Sequence, residues 1–433
     1  MTNSLWTQTA KLPEFPQLQG DRKADVLVIG GGIAGILCAK VLQDAGVDVV
    51  LAEANRICSG ITKDTTAKIT AQHGLLYHKL LKKFGRELAS LYLNANLNAV
   101  EEYQKLCKTI PCSFENRDSF VYATRHKELE LEYRALEQLG YPADFLSSVP
   151  MPLKAVGAVR FRRQGQFHPL NFLSHIAREL EIYEQTPIRA LEGNTAISDQ
   201  GNIQAEKIIV ATHFPFLNTH GSYFLKLYQQ RSYVLALQNA PTPGGMYIGA
   251  AENSLSFREH KGLLLLGGGG HRTGKPGGGW AALEGFAQRH YPGAKPLFHW
   301  ATQDCMTLDG LPYIGRYSKN TPNLYVITGF NKWGMTNAMA GAHLLRDLLL
   351  GHRNPYAQVV SPSRSMLQPQ LLINAAEATG NLLRFSEKRC PHLGCALKWN
   401  PQEHSWDCPC HGSRFTAEGK LIDNPATGDL PPS

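Results

Sequence analysis

Two short loops near the C-terminus carry residues suited to metal chemistry. Cys390 and His392 lie in Cys-Pro-His-Leu-Gly-Cys. Cys408 and His411 lie in Cys-Pro-Cys-His-Gly-Ser, with fifteen residues between His392 and Cys408. In one kind of two-iron cluster, thiolates hold one iron and neutral imidazoles hold the other. This donor set therefore suits a 2Fe-2S centre that takes one electron at a time. Tetrahedral zinc accepts the same donors, but its paired ligands usually stand two to five residues apart. Cys390 and His392 have a single residue between them. The run Cys408-Pro409-Cys410-His411 is one residue short of the Cys-x-x-Cys-His haem attachment motif.

A second constellation stands at the other end of the chain. Val26 to Ile29 is an apolar run of strand length. Gly30, Gly32 and Gly35 follow as Gly-x-Gly-x-x-Gly, and residues 33–45 read as a helix ending at Gly46. Glycines at such a strand-to-helix turn let a pyrophosphate approach the helix N-terminus, where free N–H groups favour anions. A second apolar run, Val47 to Ala52, ends at Glu53, whose carboxylate is placed to bond ribose hydroxyls. Together these elements predict dinucleotide binding.

Further along, Ser59 to Thr66 is a small polar loop, and Ile208 to Thr212 is a strand ending in small residues. Asp309 to Gly315 precedes Leu324 to Phe330, and a helix is expected from Gly334-Met335-Thr336. In this order the segments resemble the FAD-dependent D-amino-acid, glycine and sarcosine oxidases over roughly residues 24–352. The resemblance implies an FAD held at Gly30, Gly32, Gly35, Glu53, Arg56, Thr65, Thr66, Ile188, Thr212, Gly329, Gly334, Met335 and Thr336. The start of the last helix would meet the flavin ring.

The C-terminal loops resemble those of Rieske proteins of respiratory bc-type complexes. That likeness implies Cys390 and Cys408 on one iron, His392 and His411 on the other, and a Cys395–Cys410 disulfide bracing the loops. Asp423-Asn424-Pro425-Ala426 resembles the proline loop that covers such clusters. Ser413 is a candidate donor to a cluster sulfur. Phe415 stands where high-potential relatives carry a Tyr, so a lower potential is expected. About thirty residues precede Cys390 where a full Rieske domain has several strands, so the domain reads as truncated, with its packing supplied by the main domain.

The reacting side is less legible. His271 and Arg272 close the run Gly267 to Gly270, and Arg272 occupies the place of a third glycine, so a second nucleotide site is unsupported. Arg272 is a candidate partner for a carboxylate and His271 for acid–base work. His73 and Lys332 are further catalytic candidates; a plain surface turn is the stronger alternative for the glycine loop with His271 and Arg272, and a structural role for His73. His73 and His78 suggest a mononuclear iron site, but Thr70 stands where an oxygenase needs Asn or Asp.

The two resemblances together imply an α/β FAD-binding domain of glutathione-reductase-like Rossmann type, with an α+β substrate domain and a small, shortened all-β Rieske domain. The expected boundaries are 1–355 for the flavin part, 356–385 for a linker and 386–433 for the Rieske part. The FAD-binding pieces are 24–75, 165–215 and 305–352. A helix is expected over 76–108, and strands near 233–237 and 262–266.

Net charge is +8, yet residues 386–433 carry five basic and six acidic side chains, so the excess base lies on the flavin part. No nucleic-acid motif, secretory pattern or membrane-length apolar run stands out, and the expected location is cytoplasmic. The expected activity is oxidation of a small-molecule substrate, an amine or amino acid, with electrons passing from FAD through the 2Fe-2S cluster to an external acceptor. A redox sensor without turnover and an oxygen-using oxidase with a structural metal tail are the alternatives.

Overall fold

The computed structural model describes residues 4–251 and 253–431. The apolar run at Val26 extends to a strand, Arg22–Ile29, whose last four residues are all buried. Burial on both faces is what a central parallel strand requires. It lies between Gly201–Val210 and Val49–Ala52, both parallel to it. Leu324–Thr328 and Glu181–Tyr183 continue the parallel sheet outward, and Tyr313–Arg316 closes one edge antiparallel. The expected helices become Ile33–Asp44 and Gly334–Leu349, which pack against each other.

The second sheet has nine strands. Its order begins Lys295–Thr307, Leu227–Gln238, Leu263–Arg272 and Ser256–His260. The two strands expected by pattern pair antiparallel, with Leu235 opposite Leu266. The glycine run, expected as a loop or surface turn, instead continues the strand to Arg272, because glycines can hydrogen-bond in a ladder as well as turn. The helix expected over 76–108 runs from Tyr77 to Leu106 and is interrupted at Gly85, whose φ is +77°.

Four short antiparallel strands, Lys398–Asn400, Ser405–Asp407, Arg414–Thr416 and Leu421–Asp423, form the C-terminal sheet. The segment expected as a linker contains a helix, Pro369–Leu383. Pro369 sits in its first turn, where no N–H is needed. Asn374 Oδ1 accepts from Arg272 at 3.0 Å, Lys275 pairs with Glu377 at 2.6 Å, and the Ala396 N–H donates to Asn381 O at 3.0 Å. The helix is thereby fastened to the substrate sheet and to the first Cys–His loop.

So small a β unit buries little core of its own. Buried charge ties it to the flavin domain. Glu403 accepts from Arg231 Nε at 3.0 Å, from Tyr233 Oη at 3.1 Å and from Arg414 Nη2 at 2.8 Å. Arg414 also pairs with Asp407 and Asp423, each at 3.0 Å.

Candidate functional site

The two Cys–His loops face each other. His392 and His411 have ring centroids 4.9 Å apart, and both pack against Phe214, at 6.2 and 6.1 Å. Each Nδ1 is buried without a hydrogen-bond partner among the described residues. His392 Nε2 lies 3.0 Å from Asn218 Oδ1. If Nε2 carries the proton and donates it to that oxygen, the Nδ1 lone pair is left free, as a ligating imidazole requires. Burial lowers the two imidazoles, to about 4 for His392 and about 3 for His411, so both are neutral donors near pH 7.

Cys390 and Cys408 are buried free thiols. Hydrogen bonding from Cys408 lowers Cys390 to about 7; burial opposes this and Ser413 assists it. Cys408 shifts the opposite way, the hydrogen bond to Cys390 and burial both raising it. Cys395 and Cys410 form a disulfide across the loops. The sulfurs of Cys395, Cys408 and Cys410 lie within 4.8 Å of one another. Two of those three are bonded to each other, so that trio is a product of the brace and not a ligand set. Ser413 is fully buried and its Oγ accepts from the Ala426 N–H at 3.0 Å, which pins the following loop over the site. The donor set fits a mixed Cys/His two-iron cluster.

A cavity of about 1160 Å³ runs from the Gly30 turn to the start of helix Gly334–Leu349. At one end Gly30 adopts φ +112°, and a Cβ on Gly35 would fall 1.8 Å from Gly30 O. Only glycine permits this approach of helix to strand. Glu53 accepts from the N–H groups of Gly31 at 2.6 Å and Asn55 at 2.8 Å. Burial raises its pKa despite these bonds. Gly32, Thr65, Thr66, Ile188, Thr212, Gly329, Gly334 and Met335 line the same cavity. This volume and glycine cradle fit an extended dinucleotide.

Residues 25–348 match the family described as FAD dependent oxidoreductase (DAO), and residues 360–432 match the Rieske [2Fe-2S] domain. The chain belongs to the DAO family of FAD-dependent oxidoreductases. It carries a C-terminal Rieske domain, and its cofactors are FAD and a 2Fe-2S cluster. YhfW of Bacillus subtilis (strain 168), named for a Rieske 2Fe-2S centre, is 34% identical across 98% of this chain and 96% of its own. Glycine oxidase from Geobacillus kaustophilus superposes with a TM-score of 0.66 at 19% identity, covering 80% of this chain and all of its own. L-amino acid deaminase from Proteus vulgaris gives 0.67 at 15%, covering 82% of this chain and all of its own. Likeness at these identities bears on the fold alone. The Rieske match begins upstream of the expected boundary and takes in helix Pro369–Leu383.

Within this DAO–Rieske frame some expected site residues stand elsewhere. Arg56 does not line the cavity. It pairs with Glu14 at 3.1 Å and Glu184 at 2.8 Å. Thr336 also lies behind the lining, donating to Thr70 O at 3.0 Å. Arg272 turns away to the second Cys–His loop, where Nε reaches Pro409 O at 3.4 Å. His271 is occupied by Tyr233 Oη at 2.9 Å and Arg272 O at 2.9 Å. Neither side chain lines the cavity, Arg272 being drawn to the Rieske loop and His271 being held by Tyr233 and the neighbouring backbone, so the reading of these two as substrate-facing groups is corrected.

His73 does line the cavity, stacked on Trp333 at 4.9 Å and 16°. Its Nδ1 meets Tyr92 Oη at 2.7 Å, while Nε2 meets Thr70 O and Thr336 Oγ1, both at 2.9 Å. Burial lowers its pKa to about 3, so the imidazole is neutral near pH 7. His78 is engaged with Glu132 at 2.7 Å and belongs to no iron site. Lys332 lines the cavity with Nζ 3.3 Å from Ser232 Oγ.

Sequence reasoning missed three sets of lining residues: Lys68, Asp304 and the Rieske segment from Leu421 to Asp429. Alternation along the Lys295–Thr307 strand was the available signal for Asp304. Residues 423–426 of the Rieske segment were marked as a cover for the cluster, and nothing local marked them as a wall of the flavin cavity. Asn424 Nδ2 donates to Thr212 O at 2.5 Å and Phe214 O at 2.9 Å, so this segment closes one side of the cavity.

Proposed function

We propose that this chain oxidises a small amine or amino acid at the flavin site and delivers the electrons through its Rieske domain to an external acceptor. Cys390, Cys408, His392 and His411 are the proposed cluster ligands. Gly30, Gly32, Glu53, Thr65, Thr66, Ile188, Thr212, Gly329, Gly334 and Met335 are the proposed FAD contacts. When bound, FAD takes two electrons from an oxidisable C–H and a 2Fe-2S cluster takes one at a time.

The observation that carries this reading is a sheet with two working faces. Along Lys295–Thr307, Thr302, Asp304, Cys305 and Met306 line the flavin cavity, while Gln303 Nε2 donates to Gly412 O at 2.9 Å on the second Cys–His loop. Along Leu227–Gln238, Tyr228, Gln230, Ser232, Tyr233 and Val234 line the cavity. Gln229 lies against Gly412, where a Cβ would come within 2.2 Å of its Cγ. Gln303 and Gln229 face the loop while their neighbours Thr302, Asp304, Tyr228 and Gln230 face the cavity, so the sheet lies between the two along this stretch. Arg231 and Glu403 hold the Rieske domain in that position.

The test is anaerobic photoreduction of the holoprotein by one to three electrons per chain, with flavin absorbance and cluster EPR read on samples frozen at successive times. A cluster signal that grows as flavin reoxidises supports the relay. A cluster that never equilibrates with the flavin, together with undiminished reduction of cytochrome c by a Cys408→Ser variant, sinks it.

A further inference from the structure

Asp304 is a carboxylate on the floor of the flavin cavity with no hydrogen-bond or ion-pair partner among the described residues. It sits where strand Lys295–Thr307 passes beneath the loop that precedes helix Gly334–Leu349, the junction of the substrate sheet with the flavin-facing turn. Burial penalises its charge and raises its pKa, against the attraction of Lys332, His213 and Arg231. None of the three makes a direct hydrogen bond or ion pair with it, and Lys332 faces the same cavity. Lys332 Nζ is 3.3 Å from Ser232 Oγ, His213 Nε2 is 3.2 Å from Gln229 Oε1, and Arg231 is committed to Glu403. Burial also lowers the His213 imidazole, which leaves it a weak partner for an anion.

Asp304 is half-buried on the cavity wall, and a carboxylate partly stripped of water without a partner is costly, a cost relieved when a cation arrives. An α-carboxylate would ask the opposite of this cavity. Its usual anchor is a guanidinium fork. Arg189 is the only arginine among the described lining residues. It stands beside Ile188 at the dinucleotide end and is already paired with Asp199 at 2.8 Å.

We propose that Asp304 receives the ammonium group of the substrate, so that the flavin site selects organic amines by their positive charge and not amino acids by their carboxylate. This rests on the flavin-site half of the proposed function and is independent of the relay. The amine cation lies over the sheet floor with its nitrogen on the Asp304 carboxylate. Its carbon chain is directed into the remaining cavity, and no strong anion anchor is required.

The experiment is an anaerobic titration of the FAD- and cluster-loaded protein, following the flavin difference spectrum. The probes are n-butylamine and benzylamine, their neutral counterparts n-butanol and benzyl alcohol, and the anions butyrate and benzoate. At least one amine is expected to perturb or bleach the flavin at a concentration at least about tenfold below its alcohol, the worth of one charge-assisted hydrogen bond. The anions are expected to be weaker still. In D304N the amine preference falls to the alcohol level, while FAD content and the cluster EPR signal stay as in the parent. Tighter binding of the anions than of the amines would overturn the proposal. So would a D304N protein that binds amines with an unchanged constant, or a parent protein that binds neither amine. The parent titration stands even if D304N fails to fold. A failed relay leaves a different mark, since the amine then perturbs the flavin while the cluster stays oxidised.

Discussion

Replacing Glu403 by Gln should loosen the Rieske domain from the flavin domain. The Glu403 side chain is 9% exposed and that of Arg231 is 3% exposed. Burial alone would raise the Glu403 pKa, but Arg231 and Arg414 outweigh it and bring it from 4.5 to about 2. At about 1.4 kcal/mol per pKa unit, that depression is worth about 3 kcal/mol to the folded state, shared between Arg231 across the domain boundary and Arg414 within the Rieske domain. The folded-state value lies below the unfolded one. The contribution is therefore complete above pH 4.5 and is lost as pH falls toward 2. Gln keeps the shape and removes the charge at every pH. Arg414 retains Asp407 and Asp423, whereas Arg231 is left buried without its carboxylate, which costs a similar amount. About 3 kcal/mol is a factor of roughly 150 in the docking equilibrium. Native-state hydrogen exchange at pH 7 reads this directly. Amides of Ser405–Asp407 and Arg414–Thr416 should lose about that factor in protection, while those of Arg22–Ile29 and Gly201–Val210 hold theirs. Unchanged protection in E403Q would refute the ionic anchor. Equal loss in both domains would show that they open as one unit and refute local docking.

Other substitutions report on the two cofactor sites. Glu53→Ala removes the acceptor for the Gly31 and Asn55 N–H groups and should weaken FAD retention about tenfold or more, measured by equilibrium dialysis of the apoprotein. Gly412→Ala would place a Cβ 2.2 Å from Gln229 Cγ at a φ of +88°, so acid-labile sulfide and iron per chain should fall while flavin per chain holds. Cys395→Ser removes the loop brace, worth roughly 2–4 kcal/mol in a closed loop of this kind, and should speed iron loss to a chelator without altering the flavin spectrum.

Sequence alone went furthest where function is written in short backbone turns. Gly30 to Glu53 reads as a dinucleotide cradle because a tight turn, a helix N-terminus and a strand-ending acid all lie within one strand–helix–strand unit. The Cys390–His392 and Cys408–His411 loops read as a cluster site for the same reason, since each pair is set by its own turn. Arg56 and Arg272 were misplaced because a long cation offers no local clue to its partner, and its direction depends on strands packed from elsewhere. The helix at Pro369–Leu383 was hidden by prolines around it and by apolar side chains, such as Leu372 and Leu383, that remain exposed. What tertiary structure alone decided is how the two centres meet. Gln303 and Asp304 are neighbours in the chain, yet one touches the Cys–His loop and the other the flavin cavity. That division exists only once antiparallel register has chosen which face of the sheet each residue takes. Arg231 and Glu403 lie 172 residues apart, and nothing short of the packed domains brings them together.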